Sequence, residues 1–106
     1  MRADKLSIIN FLTEIKSELF SDGILKLGLF GSFARDEATV YSDIDIAIEK
    51  ESNYLETRTA YEYFEEVQKI KNLIRDKFHR NIDIFDLNSN SNSSMKTEIL
   101  KEIIYI

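Results

Sequence analysis

Three aspartates have the residue type and the spacing to do metal chemistry. Asp43 and Asp45 are separated by one residue, and Asp83 lies in a second segment of alternating apolar residues. Residues two apart in an extended strand point to the same face, so Asp43 and Asp45 lie side by side. Carboxylates crowded in this way repel each other unless a cation neutralises them. The pattern favours Mg²⁺, a hard ion that prefers oxygen ligands and keeps room for phosphate oxygens.

A second candidate site precedes the aspartates, where an apolar run ends at Gly31 and Ser32. A strand that turns into a helix leaves the first N–H groups of the helix unpaired, and these can hold phosphate oxygens. Ser32 adds a hydroxyl. Arg35, one turn further on, could reach a triphosphate or pair with an acid such as Asp36 or Glu37. Together the two sites predict an enzyme that uses a magnesium nucleotide, with two ions suited to in-line phosphoryl displacement.

Apolar spacing predicts the elements that must position these residues. Spacings of three or four indicate helices, and alternation indicates strands. In chain order the predictions are helix 5–20, strand 24–30, short helix 33–38, strand 43–48, long helix within 55–78, strand 82–87 and helix 95–106. The order αβαβαβα predicts an α/β (α+β) domain. We expect a small mixed sheet with helices packed on one face and an open acidic face opposite.

Alternation within the strands predicts which side chains share the acidic face. If the isoleucines of 43–48 and 82–87 face the helices, Asp43, Asp45 and Asp83 all lie on the other face. In the first strand the same rule places leucines in the core, namely Leu25, Leu27 and Leu29. It turns three residues outward, namely Lys26, Gly28 and Phe30. Gly28 would leave space for a ligand or for backbone to approach.

Length and composition narrow the functional classes. The 106 residues suit one domain, 1–106, in which the NSNSNSS tract over 88–94 reads as a mobile loop. Without cysteine and with one histidine, disulfides and multi-histidine zinc sites are excluded. A net charge of −5 argues against a broad nucleic-acid surface. No apolar run approaches the ~20 residues of a membrane span, so we expect a cytoplasmic protein.

The ordered motifs resemble those of a known family. Residues 31–35 read GSFAR and residues 42–45 read SDID, similar to the GSxAR…SDxD signature of the minimal nucleotidyltransferases, small members of the DNA polymerase beta superfamily. The resemblance extends over nearly the whole chain. Residue 36 departs from it, since an aspartate stands where the family often has glycine.

The resemblance implies roles for individual residues. Gly31 and Ser32 would bind the triphosphate, and Asp43 and Asp45 would bind metal. Asp83 would be the third carboxylate, which either bridges to the catalytic metal or serves as base for the acceptor hydroxyl. Asp86 is the rival for that role, but strand alternation places it on the helix side unless it lies past the strand end. We therefore prefer Asp83.

The resemblance also implies a partner and a reaction. Many minimal nucleotidyltransferases are antitoxins encoded beside a HEPN-class toxin, typically a ribonuclease, and some transfer AMP from ATP to a tyrosine of that toxin. We expect this Mg-dependent transfer here. One alternative is an antitoxin that neutralises its toxin by binding alone. A further alternative is a small-molecule nucleotidyltransferase, which is less favoured because no substrate-holding domain follows the core.

Overall fold

The computed structural model describes residues 2–88 and 93–106. The elements are α1 (Lys5–Ser21), β1 (Ile24–Phe30), α2 (Gly31–Ala34), β2 (Ile44–Lys50), α3 (Tyr54–Thr57), α4 (Ala60–Phe78), β3 (Ile82–Asp86), α5 (Ser93–Glu102) and β4 (Ile104–Tyr105). The predicted order is confirmed as far as β3, with α3 added before α4. Of the loop predicted over 88–94, residues 89–92 lie outside the described residues, and 93–94 already belong to α5.

Local chemistry sets the ends of the two long helices. Asp4 caps α1, because its carboxylate accepts a hydrogen bond of 2.8 Å from the Ser7 N–H. After α1 the chain turns at Gly23, whose φ of +97° suits a residue without Cβ. Thr59 caps the start of α4. His79 follows the last residue of this helix, takes the left-handed conformation and donates its N–H to the Arg75 carbonyl. His79 is therefore a helix-terminating residue.

The four strands form one mixed sheet in the order β3-β2-β1-β4. Strands β2 and β3 run parallel, and β1 is antiparallel to both of its neighbours. Parallel neighbours need a long crossover connection, which α3 and α4 supply. The register of the parallel pair sets Asp45 directly beside Asp83. The predicted mixed sheet is confirmed.

Apolar side chains fill both faces of the sheet to different extents. The main core lies between the sheet, α1 and α4, and includes Ile8, Leu12, Leu29, Ile44, Ile46, Ile48, Ile70 and Ile74. A smaller cluster on the other face contains Phe30, Ala47, Leu87 and Ile99. Helix α5 thus covers part of the face that was expected to be open, and the aspartates lie beside this covered part. No helix among the described residues is both long and apolar enough to cross a membrane.

The predicted alternation in β1 is wrong at its first residues. Leu25 is 43% exposed, whereas Ile24 and Leu27 are buried. The pairing between β1 and β2 shifts register between Ile24 and Lys26. A bulge of this kind puts an extra residue on one strand and breaks the period of two. Beyond the bulge the prediction is confirmed, since Leu27 and Leu29 enter the main core.

The predicted final helix is wrong in its last turn. Helix α5 ends at Glu102, and Ile104 and Tyr105 pair with Leu29 and Gly28 as an edge strand. β-Branched and aromatic residues favour this conformation, and β1 offers unpaired backbone groups along that edge. The space at Gly28 is used by the chain itself. A Cβ on this glycine would lie 2.6 Å from Ile103 Cδ1 and 3.3 Å from the Ile104 carbonyl oxygen.

The packing over Gly28 predicts the sign of a stability change. Glycine to alanine in an unobstructed strand raises stability by about 0.5–1 kcal/mol. Here we expect Gly28→Ala to lower the free energy of unfolding by about 1–3 kcal/mol, because the methyl group collides with Ile103. Urea unfolding measures the change. In an Ile103→Ala background the added methyl should cost much less, and an equal cost in both backgrounds would contradict this packing.

Candidate active site

The predicted carboxylates gather at the start of the two parallel strands. Asp45 and Asp83 are register partners, so their side chains leave the sheet on the same face. They are close enough to share a proton in a hydrogen bond. Asp43 directly precedes β2, is exposed, and lies near enough to repel the Asp45 charge. The structure therefore brings all three predicted carboxylates into one neighbourhood.

The charge state of Asp45 reflects this crowding. Burial raises the pKa of Asp45 to about 6, and the charges of Asp83 and Asp43 act in the same direction. Arg35 opposes the shift weakly. A raised carboxyl pKa means that the ionised form lacks sufficient stabilisation from its surroundings. The ionised Asp45–Asp83 pair therefore lacks positive charge in its surroundings, which a bound cation would provide.

Gly31 lies against this pair because it has no side chain. Its φ is +77°, which disfavours residues with a Cβ, and it is buried. A Cβ at this position would collide with the Asp45 carboxylate and lie 2.8 Å from its Cγ. The turn from β1 into α2 is therefore in direct contact with Asp45, one member of the acidic pair. The two candidate sites found in the sequence form one site.

The donors predicted for phosphate are held by a residue that the sequence analysis missed. The Gly31 N–H donates to Glu102 Oε1 at 3.1 Å, and Arg35 Nη1 donates to Glu102 Oε2 at 2.9 Å. Arg35 Nε also donates to Glu37 Oε2 at 3.2 Å. Glu102 ends α5, 71 residues from Gly31 in the chain. No local spacing connects two residues so far apart, so the sequence carried no signal for this contact.

Asp36, the departure from the family pattern, is accounted for by its backbone. Its φ is +59°, which is the left-handed conformation that glycine adopts most easily. Aspartate is among the few other residues that enter this region often. Its carboxylate turns to the surface and meets Lys5 Nζ at 3.3 Å. Asp36 therefore preserves the turn and, contrary to one sequence alternative, is not the acid that pairs with Arg35.

Asp86, the rival third carboxylate, has other partners. Its Oδ2 accepts from Lys50 Nζ at 2.9 Å and from the Tyr63 hydroxyl at 3.0 Å. Tyr63 belongs to α4, so Asp86 lies on the helix side of the sheet, as alternation predicted. Asp83, in contrast, lies beside Asp45 in the parallel strand pair. The geometry separates the two candidates.

Comparison with known proteins agrees with this geometry. Residues 12–106 match the family described as "Polymerase beta, Nucleotidyltransferase". The chain belongs to this family. It is 34% identical over 84 residues to "Putative protein adenylyltransferase MJ1379" of Methanocaldococcus jannaschii, covering 78% of this chain and 77% of that protein. It is 32% identical over 83 residues to "Putative protein adenylyltransferase MJ0126" of the same organism, covering 78% and 76%.

Solved structures share the fold of this nucleotidyltransferase. One, "Structure of putative minimal nucleotidyltransferase", superposes with a TM-score of 0.69 at 22% identity and covers 96% of this chain and 95% of its own. Another, "Crystal structure of the toxin-antitoxin with AMP-PNP", has a TM-score of 0.59 at 21% identity and covers 97% and 72%. The predicted family and the predicted fold class are both confirmed.

The loop before β2 of the nucleotidyltransferase is held by Arg80. Its Nη1 donates to the carbonyl oxygens of Thr39 at 2.9 Å and Ser42 at 2.8 Å. The Ser42 hydroxyl closes the same loop by accepting from the Thr39 N–H at 2.8 Å. The serine of the SDxD motif thus has a structural use. It fixes the backbone that carries Asp43.

Two surface cavities border the aspartates. One, of about 640 Å³, is lined by residues 40–43 together with Arg75, His79, Arg80 and Asn81. The second, of about 340 Å³, contains both Asp43 and Asp83, and Arg75 lines it as well. Of the three carboxylates, the larger cavity reaches Asp43, and the smaller cavity reaches Asp43 and Asp83. Their charged and polar walls suit a polar reactant.

The donor set at this site fits a hard divalent cation. The three carboxylates provide only oxygen ligands, and the raised pKa of Asp45 indicates a deficit of positive charge around it. Among residues 2–88 and 93–106, no three acidic or histidine side chains already stand in a metal-binding arrangement. Asp43 is exposed and so has freedom to turn towards Asp45 and Asp83. The residues that would hold Mg²⁺ are these three.

The raised pKa of Asp45 predicts a pH-dependent stability difference in metal-free protein. The pKa is about 6 in the folded chain, against 3.8 for an aspartate free in water, so the folded state binds more protons between these values. Asp45 therefore makes stability fall as pH rises from about 4 to above 6. Asp45→Asn removes this contribution. Since Asp45 is only partly buried, we discount the effect to about 1 kcal/mol, or about 4–8 °C in Tm.

Thermal unfolding of both proteins in EDTA from pH 4 to 8 measures the difference. The variant should gain stability relative to the wild type across this range. Titrating groups far from Asp45 affect both proteins equally, so the difference between the two profiles reports on Asp45 and the two aspartates that interact with it. If the Tm values of the two proteins run parallel against pH, the ionised carboxylate of Asp45 is not destabilised by its surroundings.

Proposed function

We propose that this nucleotidyltransferase uses Mg²⁺ and ATP to transfer AMP to a hydroxyl of a HEPN-type toxin, with a tyrosine as the preferred acceptor, and so acts as an antitoxin. The observation that carries the proposal is the Asp45–Asp83 register pair in contact with Gly31. It supports the proposal because the backbone proposed for phosphate lies against the carboxylates proposed for metal. The names of the two relatives support transfer of an adenylyl group to a protein, and the name of the toxin-antitoxin structure with AMP-PNP supports a toxin as partner and an adenine nucleotide as donor.

The roles of the residues follow from their positions. Gly31, Ser32 and Arg35 hold the β- and γ-phosphates, which leave as pyrophosphate, using backbone N–H, hydroxyl and guanidinium donors. Asp43, Asp45 and Asp83 are the carboxylates for magnesium. The chemistry that Mg²⁺ supplies there is neutralisation of phosphate charge and activation of the acceptor oxygen.

The transfer step exchanges one bond to the α-phosphorus for another. The acceptor oxygen forms a bond to this phosphorus, and the bond from the phosphorus to the oxygen bridging to the β-phosphate breaks. Pyrophosphate leaves with the electron pair. Asp83 takes the proton of the acceptor hydroxyl as general base. Asp83 suits this role because it lines the smaller cavity, through which the acceptor side chain can enter.

A protein acceptor agrees with the surface around the cavities. The rim includes Val40 and Tyr41, which are 80% and 91% exposed. Arg75 lines both cavities and offers positive charge next to Asp43. Exposed apolar side chains beside a charged cleft are typical of contact with another protein. We infer that the toxin covers this rim when its hydroxyl reaches the aspartates.

Intact-mass measurement tests the proposal directly. The toxin encoded beside this protein is incubated with it, ATP and Mg²⁺, and we expect the toxin to gain mass in whole AMP units. The gain should disappear with Asp43→Asn, which keeps the shape of the residue and removes its charge. A stable complex without any mass gain would instead identify an antitoxin that acts by binding. Neither mass gain nor complex would direct attention to small-molecule acceptors.

A second pair of variants separates catalysis from folding. Asp83→Asn should lower the transfer rate at least 100-fold, since general-base catalysis contributes about 10²–10⁴-fold, without lowering the Tm, because it removes a charge that repels Asp45. Asp86→Asn should keep most of the transfer rate. It should lower the free energy of unfolding by about 1–3 kcal/mol, because Lys50 and Tyr63 lose a charged acceptor. Transfer rates and thermal unfolding are measured for both variants. If Asp86→Asn loses transfer and Asp83→Asn keeps it, Asp86 is the third carboxylate.

A further inference from the structure

Glu102 occupies the donors that the proposed reaction needs for phosphate. One oxygen of its carboxylate accepts from the Gly31 N–H and the other accepts from the Arg35 guanidinium, at 3.1 and 2.9 Å. A carboxylate and a phosphate place similar oxygens on such donors. The acid at the end of α5 therefore takes the place of a phosphate group.

A triphosphate and Glu102 cannot use these donors together. Asp45 and Asp83 already make the site negative, and the remaining acid next to Arg35 is Glu37. Bringing a polyanion against the Glu102 carboxylate would add like-charge repulsion. Loss of the Glu102 contacts would in contrast release one N–H and part of a guanidinium for phosphate. The two anions therefore compete.

The surrounding contacts hold Glu102 in position. It is the last residue of α5, and the Ile103 N–H that follows still donates to the Ile99 carbonyl at 2.9 Å. Ile103 then packs over Gly28, and Ile104 pairs with Leu29. With the backbone fixed on both sides, the carboxylate is pre-positioned on the turn. Its side chain is nevertheless 27% exposed, which leaves a route outward.

We propose that Glu102 is an autoinhibitory latch, whose carboxylate closes the phosphate-binding turn in the free protein and must be displaced by the magnesium nucleotide. This inference rests on the proposed function, because it assumes that the nucleotide uses Gly31 and Arg35. Only the unlatched fraction of the protein binds nucleotide, so the latch lowers the apparent affinity by that fraction. Removal of the latch should therefore strengthen binding.

Nucleotide binding tests the latch. The probe is AMP-PNP with Mg²⁺, titrated by calorimetry into wild type, Glu102→Gln and the matched control Glu98→Gln. Glu98 lies on the same helix and pairs with Lys101 at 3.2 Å, with no described contact to the turn. We expect Glu102→Gln to bind on the order of tenfold more tightly than wild type, as loss of a charge-assisted competitor predicts, and Glu98→Gln to bind as wild type does. Unchanged or weaker binding by Glu102→Gln would overturn the latch.

The Gly31 amide provides a readout that needs no nucleotide. With three glycines in the chain, its ¹⁵N–¹H resonance is readily assigned. Without nucleotide, Glu102→Gln should move this resonance, and Glu98→Gln should leave it in place. In the wild type, AMP-PNP with Mg²⁺ should shift the amides of Glu102 and Ile103 together with that of Gly31. A shift of Gly31 alone would overturn the latch, and this wild-type experiment remains valid if a variant fails to fold.

The two readouts separate failure of the latch from failure of the proposed function. Wild type that binds nucleotide and transfers AMP, with no gain in Glu102→Gln, would reject the latch and keep the function. Absence of nucleotide binding by wild type and by Glu102→Gln would reject both. Binding by Glu102→Gln with none by wild type would support both, with a latch that is nearly always closed.

Discussion

Repulsion between carboxylates placed side by side is the constraint on which the rest of the site depends. Strands β2 and β3 pair in parallel, and their register leaves no offset between Asp45 and Asp83. The arrangement is imposed by the isoleucines of both strands, which must face α1 and α4 to form the core. Burial of that apolar surface is the dominant favourable term in folding. The core thereby stabilises an acidic pair that would not form alone.

Other acids in the chain show what distinguishes this site. Asp36, Asp86 and Asp22 each have a lysine within 3.3 Å. No ion pair found in the described parts of the chain includes Asp43, Asp45 or Asp83. Asp22 also has an acid beside it, Glu66, whose pKa is raised to about 7, but Lys69 lies at 2.8 Å from Asp22 and supplies positive charge to that pair. Asp45 and Asp83 have no such ion pair among the described residues, and this difference favours a cation at their site.

The parts of the structure that the sequence predicted depend on local periodicity. Alternation placed Asp83 on the same face as Asp45 and assigned Asp86 to the helix side, since an undistorted strand keeps its period; that Asp83 lies directly beside Asp45 comes from the strand order and register. The same rule failed at Leu25, where a bulge interrupts the pairing. Alternation could not predict β4, because that strand forms by pairing with the free edge of β1. Contacts between distant segments, such as Glu102 with Gly31, leave no local pattern. The chemical roles of the site residues remain predictions.

The edge strand and the acidic site are connected through the end of α5. Without pairing between Ile104 and Leu29, the last turn of α5 would lack the anchor that directs Glu102 towards Gly31. Gly28 allows this approach by leaving room for Ile103. Two glycines make room for this arrangement. Gly28 in β1 leaves space for Ile103 and the start of β4, and Gly31 in α2 leaves space for Asp45. Gly28 and Gly31 lie on one continuous stretch of backbone, β1 and the turn that follows it. A shift of β4 along β1 would therefore be transmitted to the phosphate-binding turn.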